Sequence, residues 1–180
     1  MDPYHEDFKR ALSWTKKQGL AVPETYFEAG RLMSEARLQK LTFAVKRVFK
    51  TLSLDEIQAQ SLRLHQDLQS IVEEVFESSV FYTLGFVHWP PTDYFKLTQD
   101  EISDLIIKGA QEPHPTLHAW LTLPSLEILD FSINTTLAEA LRRPEIAGKM
   151  LAAHPSLFKG GLRFHPLLVG DAFLKKEGGF

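Results

Sequence analysis

The spacing of apolar residues changes at Ser78, and this change constrains the fold more than any other feature of the sequence. Before it, apolar residues recur at intervals of three and four, which is typical of amphipathic helices. After it come short runs rich in β-branched and aromatic residues, bounded by prolines and glycines, which are typical of strands. The sequence therefore predicts an α+β protein, in which N-terminal helices pack on an antiparallel sheet of about four or five strands.

The helical half, residues 1–77, contains a series of predicted helices. The first covers residues 4–17, and the second runs from residue 24 to about residue 50. A third follows Ser53, where the pattern Ser-Leu-Asp-Glu predicts a capping box between that serine and Glu56. Apolar residues then keep helical spacing from Ile57 to Phe76, so this helix is expected to be long and unbroken.

The second half, residues 78–180, contains the predicted sheet. Strands are predicted at residues 79–89, 117–123, 127–133 and 162–169, a helix or loop at 98–108, and short helices at 137–143 and 144–153. A short Pro-Ser-Leu link joins the two central strands, as in a β-hairpin. No internal repeat or long linker divides the chain, so residues 1–180 are predicted to form a single domain.

Composition excludes several classes of function. The net charge is −3 with no basic block, which argues against binding to nucleic acid. The chain has no cysteine, so disulfides, thiolate metal sites and a thiol nucleophile are excluded. The N-terminus lacks an apolar signal region, and no apolar run approaches the roughly 18–20 residues that span a bilayer. We therefore expect a cytoplasmic protein that does not bind membranes.

The most specific chemical feature is a histidine and an aspartate on the two central predicted strands. A hairpin that turns near Ser125 places His118 roughly opposite Asp130, or one step away from it. Neighbours across a strand pair on one face are about 5 Å apart at Cβ, so an imidazole–carboxylate hydrogen bond is within reach. Such a bond fixes the tautomer of the ring, which a general base requires. The alternatives are a structural pair at a sheet edge, or two residues that never meet.

The segment from His118 to Asp130, His-Ala-Trp-Leu-Thr-Leu-Pro-Ser-Leu-Glu-Ile-Leu-Asp, resembles the His–Asp segment of the papain-like superfamily, especially its transglutaminase-like and arylamine acetyltransferase-like branches. The order of elements over residues 53–134 is also similar: a helix with the nucleophile, a strand, the His strand and the Asp strand. The resemblance implies a papain-like architecture and a hydrolase or acyltransferase that attacks amide or thioester carbonyls through an acyl-enzyme. It implies His118 as the base, Asp130 as the residue that orients it, a small-molecule or peptide amide as substrate, and no cofactor.

This chain departs from that family at the nucleophile, which is a cysteine there. Ser61 is the candidate for the equivalent position, Gln60 is a candidate oxyanion donor, and Trp120 is a candidate wall of the site. Ser61 is open to three interpretations: a serine that replaces a natural cysteine, a natural serine variant, or an ordinary helix residue. The capping box at Ser53 favours the last, because it places Ser61 two turns inside a helix and away from the free amides at its end. A helix break near residues 58–60 would favour a nucleophile.

Two other functions remain open on the sequence. The same fold would also serve as a catalytically silent binding or interaction module. A zinc site built from His65, His114, His118 and Asp130 is the third hypothesis, since zinc takes nitrogen and oxygen ligands, although no spacing such as HExxH supports it.

Overall fold

A computed structural model describes residues 3–108 and 117–175 and confirms an α+β protein. The helices are α1 (Pro3–Lys17), α2 (Glu35–Phe49), α3 (Leu54–Ala59), α4 (Ser61–Phe76), α5 (Gln99–Lys108), α6 (Ile133–Ala140) and α7 (Ala172–Lys175). The strands are β1 (Phe81–Trp89), β2 (Thr92–Tyr94), β3 (His118–Thr122), β4 (Ile128–Asp130), β5 (Leu151–Ala153) and β6 (Arg163–Val169). Two short 3-10 helices cover Pro144–Ile146 and Pro155–Leu157. Within the described ranges, no helix is both long enough and apolar enough to cross a bilayer.

The strands form one antiparallel sheet in the described part of the chain, in the order β2-β1-β3-β4-β5, with β6 also paired to β1. The long strand β1 is its centre, since it pairs with β2, β3 and β6. The predicted hairpin is present: β3 and β4 are adjacent, and the amide of Leu126 donates to the carbonyl of Leu123 in the turn between them. This hairpin fixes the strand that carries His118 beside the strand that carries Asp130.

Two groups of apolar side chains hold the sheet between helices. On one side, α2 and α4 pack against inward-facing residues of β1 and β3, including Leu84, Ala119 and Leu121. On the other side, α1 and α6 pack against Trp120 and its apolar neighbours from β1 and β6. Successive side chains of β3 therefore pack into core regions on opposite faces of the sheet, because side chains alternate between the two faces of a strand.

Gly85 permits the close approach of strands beside the candidate site. It lies opposite His118 in the pairing of β1 with β3, at an irregularity in the pairing of β1 with β6. A Cβ atom here would overlap the carbonyl oxygen of His165 and come within 2.7 Å of the Trp120 ring. Glycine is therefore required for β6 and Trp120 to pack as they do.

Several predicted elements differ in the structure. The second helix begins at Glu35 rather than Glu24, because the amides of Leu32 and Met33 donate to the buried carboxylate of Glu127 instead of entering a helix. The predicted helix at 144–153 is wrong: after one 3-10 turn the chain forms β5, which pairs with the edge of β4. The strands β2 and β5 were not predicted, so the sheet has six strands in the described residues rather than four or five.

Candidate active site

Ser61 lies at the start of a helix and not in the middle of one. The predicted capping box between Ser53 and Glu56 is present, but the helix that it begins, α3, ends at Ala59. Gln60 then leaves helical geometry, with φ −109° and ψ 31°, and α4 starts at Ser61. The expectation of one unbroken helix is therefore wrong. The helix breaks near residues 58–60, and such a break favours the interpretation of Ser61 as a nucleophile. Ser61 therefore lies at the positive end of the dipole of α4.

The structure brings Ser61, His118 and Asp130 together in a continuous hydrogen-bonded chain. The Oγ of Ser61 is 3.2 Å from Nδ1 of His118, and Nε2 of His118 is 2.5 Å from Oδ2 of Asp130. An ionised carboxylate only accepts hydrogen bonds, so Nε2 carries the ring proton. Nδ1 is then free to accept the hydroxyl proton of Ser61. This is the connectivity of a serine–histidine–carboxylate triad, with the two ring nitrogens exchanged relative to the serine proteases.

The strand register differs slightly from the prediction. Thr122 pairs with Ile128, and two residues further along the strands Trp120 is level with Asp130. His118 is thus two residues away from the position opposite Asp130, rather than opposite it or one step off. Diagonal neighbours on one face are about 7–8 Å apart at Cα, and a histidine side chain is long enough to reach a carboxylate across this distance.

Asp130 is fully buried and is held ionised by its surroundings. Its Oδ1 accepts hydrogen bonds from the amides of Ser132 and Ile133, each at 2.9 Å. Burial alone would raise the pKa of this carboxyl, but its interactions with the histidine neighbours, those with His118 first, together outweigh burial, so the pKa of Asp130 lies well below its usual range. Asp130 is therefore suited to orient His118 and to stabilise its cationic form.

The hydroxyl oxygen of Ser61 also accepts hydrogen bonds from two donors. The Oγ of Ser132 donates to it at 3.0 Å, and the amide of Ala119 approaches it at 3.4 Å. Because both donors point at lone pairs of Oγ, the hydroxyl proton of Ser61 is left to point at Nδ1 of His118. Ser132 was not among the predicted site residues. Its position two residues after Asp130, at the end of the same predicted strand, is the signal that could have identified it.

The remaining predicted site residues lie around this chain of hydrogen bonds. Gln60 is exposed directly before Ser61 and makes no side-chain cap to α4. Trp120 is fully buried, its ring centroid is 6.0 Å from that of His118, and its Nε1 donates to the hydroxyl of Tyr4. Trp120 therefore packs beneath His118 and supports it from the core.

Phe95 is a neighbour of His118 that sequence reasoning missed. Its ring stacks on the imidazole, with centroids 5.0 Å apart and planes 13° from parallel. Its backbone is left-handed, with φ 65°, which is unusual for an aromatic residue. Nothing in the sequence around Phe95 marks this contact, because a loop after β2 brings the ring to His118 from a distant part of the chain.

The geometry gives no support to the zinc hypothesis. Among the residues that the structure describes, no group of three or more histidine or acidic side chains is arranged to hold a metal ion. His114 lies outside the described residues. Both ring nitrogens of His65 and of His118 contact hydrogen-bonding groups of the protein.

The chain was compared with known proteins at the level of families, sequences and structures. No family model matches it, no curated protein sequence matches it, and no solved structure matches it.

Proposed function

We propose that this protein is an acyl-transfer hydrolase in which Ser61 is the nucleophile, His118 the general base and Asp130 the residue that orients the base. The observation that carries the proposal is the chain of two contacts from Ser61 through His118 to Asp130, at 3.2 and 2.5 Å. The position of Ser61 at the first residue of α4 adds to it, since a helix N-terminus stabilises a developing negative charge. The substrate class is an amide, ester or thioester of a small molecule or peptide.

The proposed reaction proceeds through an acyl-enzyme. Oγ of Ser61 attacks the carbonyl carbon while its proton passes to Nδ1 of His118, and Asp130 stabilises the resulting imidazolium. The tetrahedral intermediate collapses, the bond to the leaving group breaks, and His118 returns the proton to that group. Water, or an acceptor amine in a transferase, then attacks the ester on Ser61 while His118 takes its proton. The bond between the acyl carbon and Oγ breaks, and His118 returns the proton to Oγ, which restores Ser61 and releases the product.

The papain-like relationship is part of this proposal. The order of elements supports it: the nucleophile position begins a helix, a long strand follows, and His118 and Asp130 come next on adjacent antiparallel strands. The hydroxyl of Ser61 is a weaker nucleophile than the cysteine thiolate of the family, because the hydroxyl must lose its proton during the attack. The proposed enzyme therefore depends on His118 acting as a base, and does not use a preformed ion pair.

A burst experiment tests this proposal. With p-nitrophenyl acetate, we expect a rapid release of p-nitrophenol equal to the protein concentration, followed by slower turnover, because acylation by this activated ester is faster than hydrolysis of the acyl-enzyme. Ser61→Ala should abolish the burst. Ser70→Ala, an exposed serine on the same helix, is the matched control and should keep it. A folded protein without any burst, or a burst that survives Ser61→Ala, would refute the proposed enzyme.

One observation favours a second candidate, a catalytically silent binding module. Only 7% of Ser61 and 1% of His118 are exposed, and Phe95 covers one face of the imidazole. A hydroxyl enclosed in this way would act as a structural hydrogen-bond partner at the start of α4. This candidate predicts no burst from the wild-type protein and no change in ester hydrolysis on Ser61→Ala.

A further inference from the structure

His65 is a buried histidine to which the proposed reaction assigns no step. It lies one helical turn after Ser61 on α4, and it is fully buried. Its Nδ1 is 2.7 Å from the carbonyl oxygen of Ser61, and its Nε2 accepts a hydrogen bond of 3.0 Å from the amide of Phe131. The two ring nitrogens are therefore engaged with backbone groups of α4 and of the link between β4 and α6.

These contacts determine the tautomer of His65. A backbone amide only donates, so Nε2 must be the nitrogen without a proton, and a carbonyl only accepts, so Nδ1 must carry the proton. Nε2 also lies 3.5 Å from Oδ1 of Asp130, but an unprotonated nitrogen forms neither an ion pair nor a hydrogen bond with a carboxylate. His65 is thus a neutral bridge with a fixed direction, from the Phe131 amide to the Ser61 carbonyl.

This bridge through His65 is a second connection between Ser61 and the segment that carries Asp130, besides the one through His118. Phe131 follows Asp130 directly and precedes Ser132, whose hydroxyl donates to Ser61. Ser61 is the residue at which α4 begins after the break at Gln60, where no side chain caps the helix. Because the backbone around Ser61 lacks a local cap, its position relative to β4 depends on contacts such as this one.

We propose that His65 is a positioning residue, which holds the backbone of Ser61 against the junction of β4 and α6 so that Oγ stays within reach of His118. The inference rests on the proposed function, because it assigns His65 to the same reaction. It goes further in naming a second histidine that acts through Ser61 and does not itself exchange protons with substrate. Removal of the bridge should lower the reactivity of the side chain at position 61 in a protein that still folds.

The test uses a thiol at position 61, so that its readout does not require turnover. In a Ser61→Cys background, the rate of alkylation by iodoacetamide is measured between pH 5 and 9, alone and combined with His65→Leu, His65→Gln or Tyr82→Phe. We expect His65→Leu to slow alkylation at pH 6.5 about tenfold, since each unit of pKa change is a tenfold change in thiolate fraction near neutral pH. His65→Gln should recover at least a third of the parent rate, because an amide also offers one donor and one acceptor.

Tyr82→Phe is the matched control for loss of a buried hydrogen bond at the start of α4. The hydroxyl of Tyr82 donates to the carbonyl of Leu62, one residue after Ser61, and contacts none of the triad side chains through that bond. It should leave the alkylation profile within about twofold of the parent. Equal slowing by Tyr82→Phe and His65→Leu, or no slowing by His65→Leu, would overturn the positioning role.

A second measurement needs no substitution and covers the case in which His65→Leu does not fold. Nitrogen-15 NMR of the histidine rings in the wild-type chain should show the proton of His65 on Nδ1, and a proton on Nε2 would overturn the bridge. Failure of the proposed function is separately visible. In that case the wild-type protein shows no acyl burst, whereas the thiol reactivity and the tautomer still report on His65.

Discussion

Replacement of Asp130 with alanine is expected to destabilise the protein by about 3–5 kcal/mol, the usual effect of removing one member of a buried charged pair. The substitution removes the acceptor of the His118 ring proton and of the amides of Ser132 and Ile133. None of these groups has access to water in its place, because Asp130 and its neighbours are buried. Urea unfolding followed by circular dichroism measures the change.

Asp130→Asn separates the loss of shape from the loss of charge. It retains an oxygen for the amides of Ser132 and Ile133, so the stability cost should be smaller than for alanine. Any esterase activity should nevertheless fall by about 10³–10⁴, because an amide no longer enforces the ring tautomer that leaves Nδ1 free. Asp67→Ala, an exposed residue of α4 in a surface ion pair, is the control and should cost at most about 1 kcal/mol. A neutral effect of Asp130→Ala on stability would contradict the network as described.

The lowered pKa of Asp130 predicts how stability depends on pH. Its pKa in the folded state lies below the ordinary value for an unfolded chain, near 3.9. The stabilisation that it provides is therefore complete above about pH 5 and is lost as the pH falls below the unfolded pKa towards the folded one. The difference in unfolding free energy between the wild type and Asp130→Asn should shrink between pH 5 and pH 2. A difference that stays constant over this range would show that Asp130 does not titrate as the structure implies.

Ser61→Cys is expected to produce the largest gain in reactivity of any single substitution. The new thiol would lie at the start of α4 and beside Nδ1 of His118, two features that each favour a thiolate. Its pKa should fall below the ordinary value of about 8.5, and alkylation by iodoacetamide at pH 6 should be at least about tenfold faster than for an ordinary exposed thiol.

The matched control is Ser70→Cys, which places an exposed thiol in the middle of the same helix. After denaturation in urea the two thiols should react at similar rates, so that the difference in the native state reports on the site alone. Combination of Ser61→Cys with His118→Ala should remove most of the advantage. A thiol at position 61 that reacts more slowly than the control at every pH would show that the site is closed, as the binding-module candidate requires.

The His–Asp part of the site was accessible from sequence because it depends on local structure. His118 and Asp130 are twelve residues apart on two strands joined by a tight hairpin, and strand alternation with a short turn restricts where their side chains lie. Only the predicted register was wrong. A shift of two residues leaves every side chain on its predicted face, so His118 and Asp130 still meet.

The nucleophile end of the site was not accessible in the same way, because the break at Gln60 has no local signal. Neither glycine nor proline lies near it, and helical spacing continues through it. The break accompanies long-range contacts, because the hydroxyl of Ser132 and the amide of Ala119 bind Ser61 itself. The strand β5 was missed for a similar reason, since its hydrogen bonds are made with β4, about twenty residues earlier.

The most direct measurement of the central claim is the site of covalent modification by a fluorophosphonate, which forms a stable adduct with a serine activated by a histidine base. Intact-mass spectrometry of the treated wild-type protein should show one added phosphonyl group, and peptide mapping should place it on Ser61. The adduct should be absent from His118→Ala, which keeps the hydroxyl but removes its base. An unmodified wild-type protein, or an adduct on another residue, would contradict the claim that His118 and Asp130 activate Ser61.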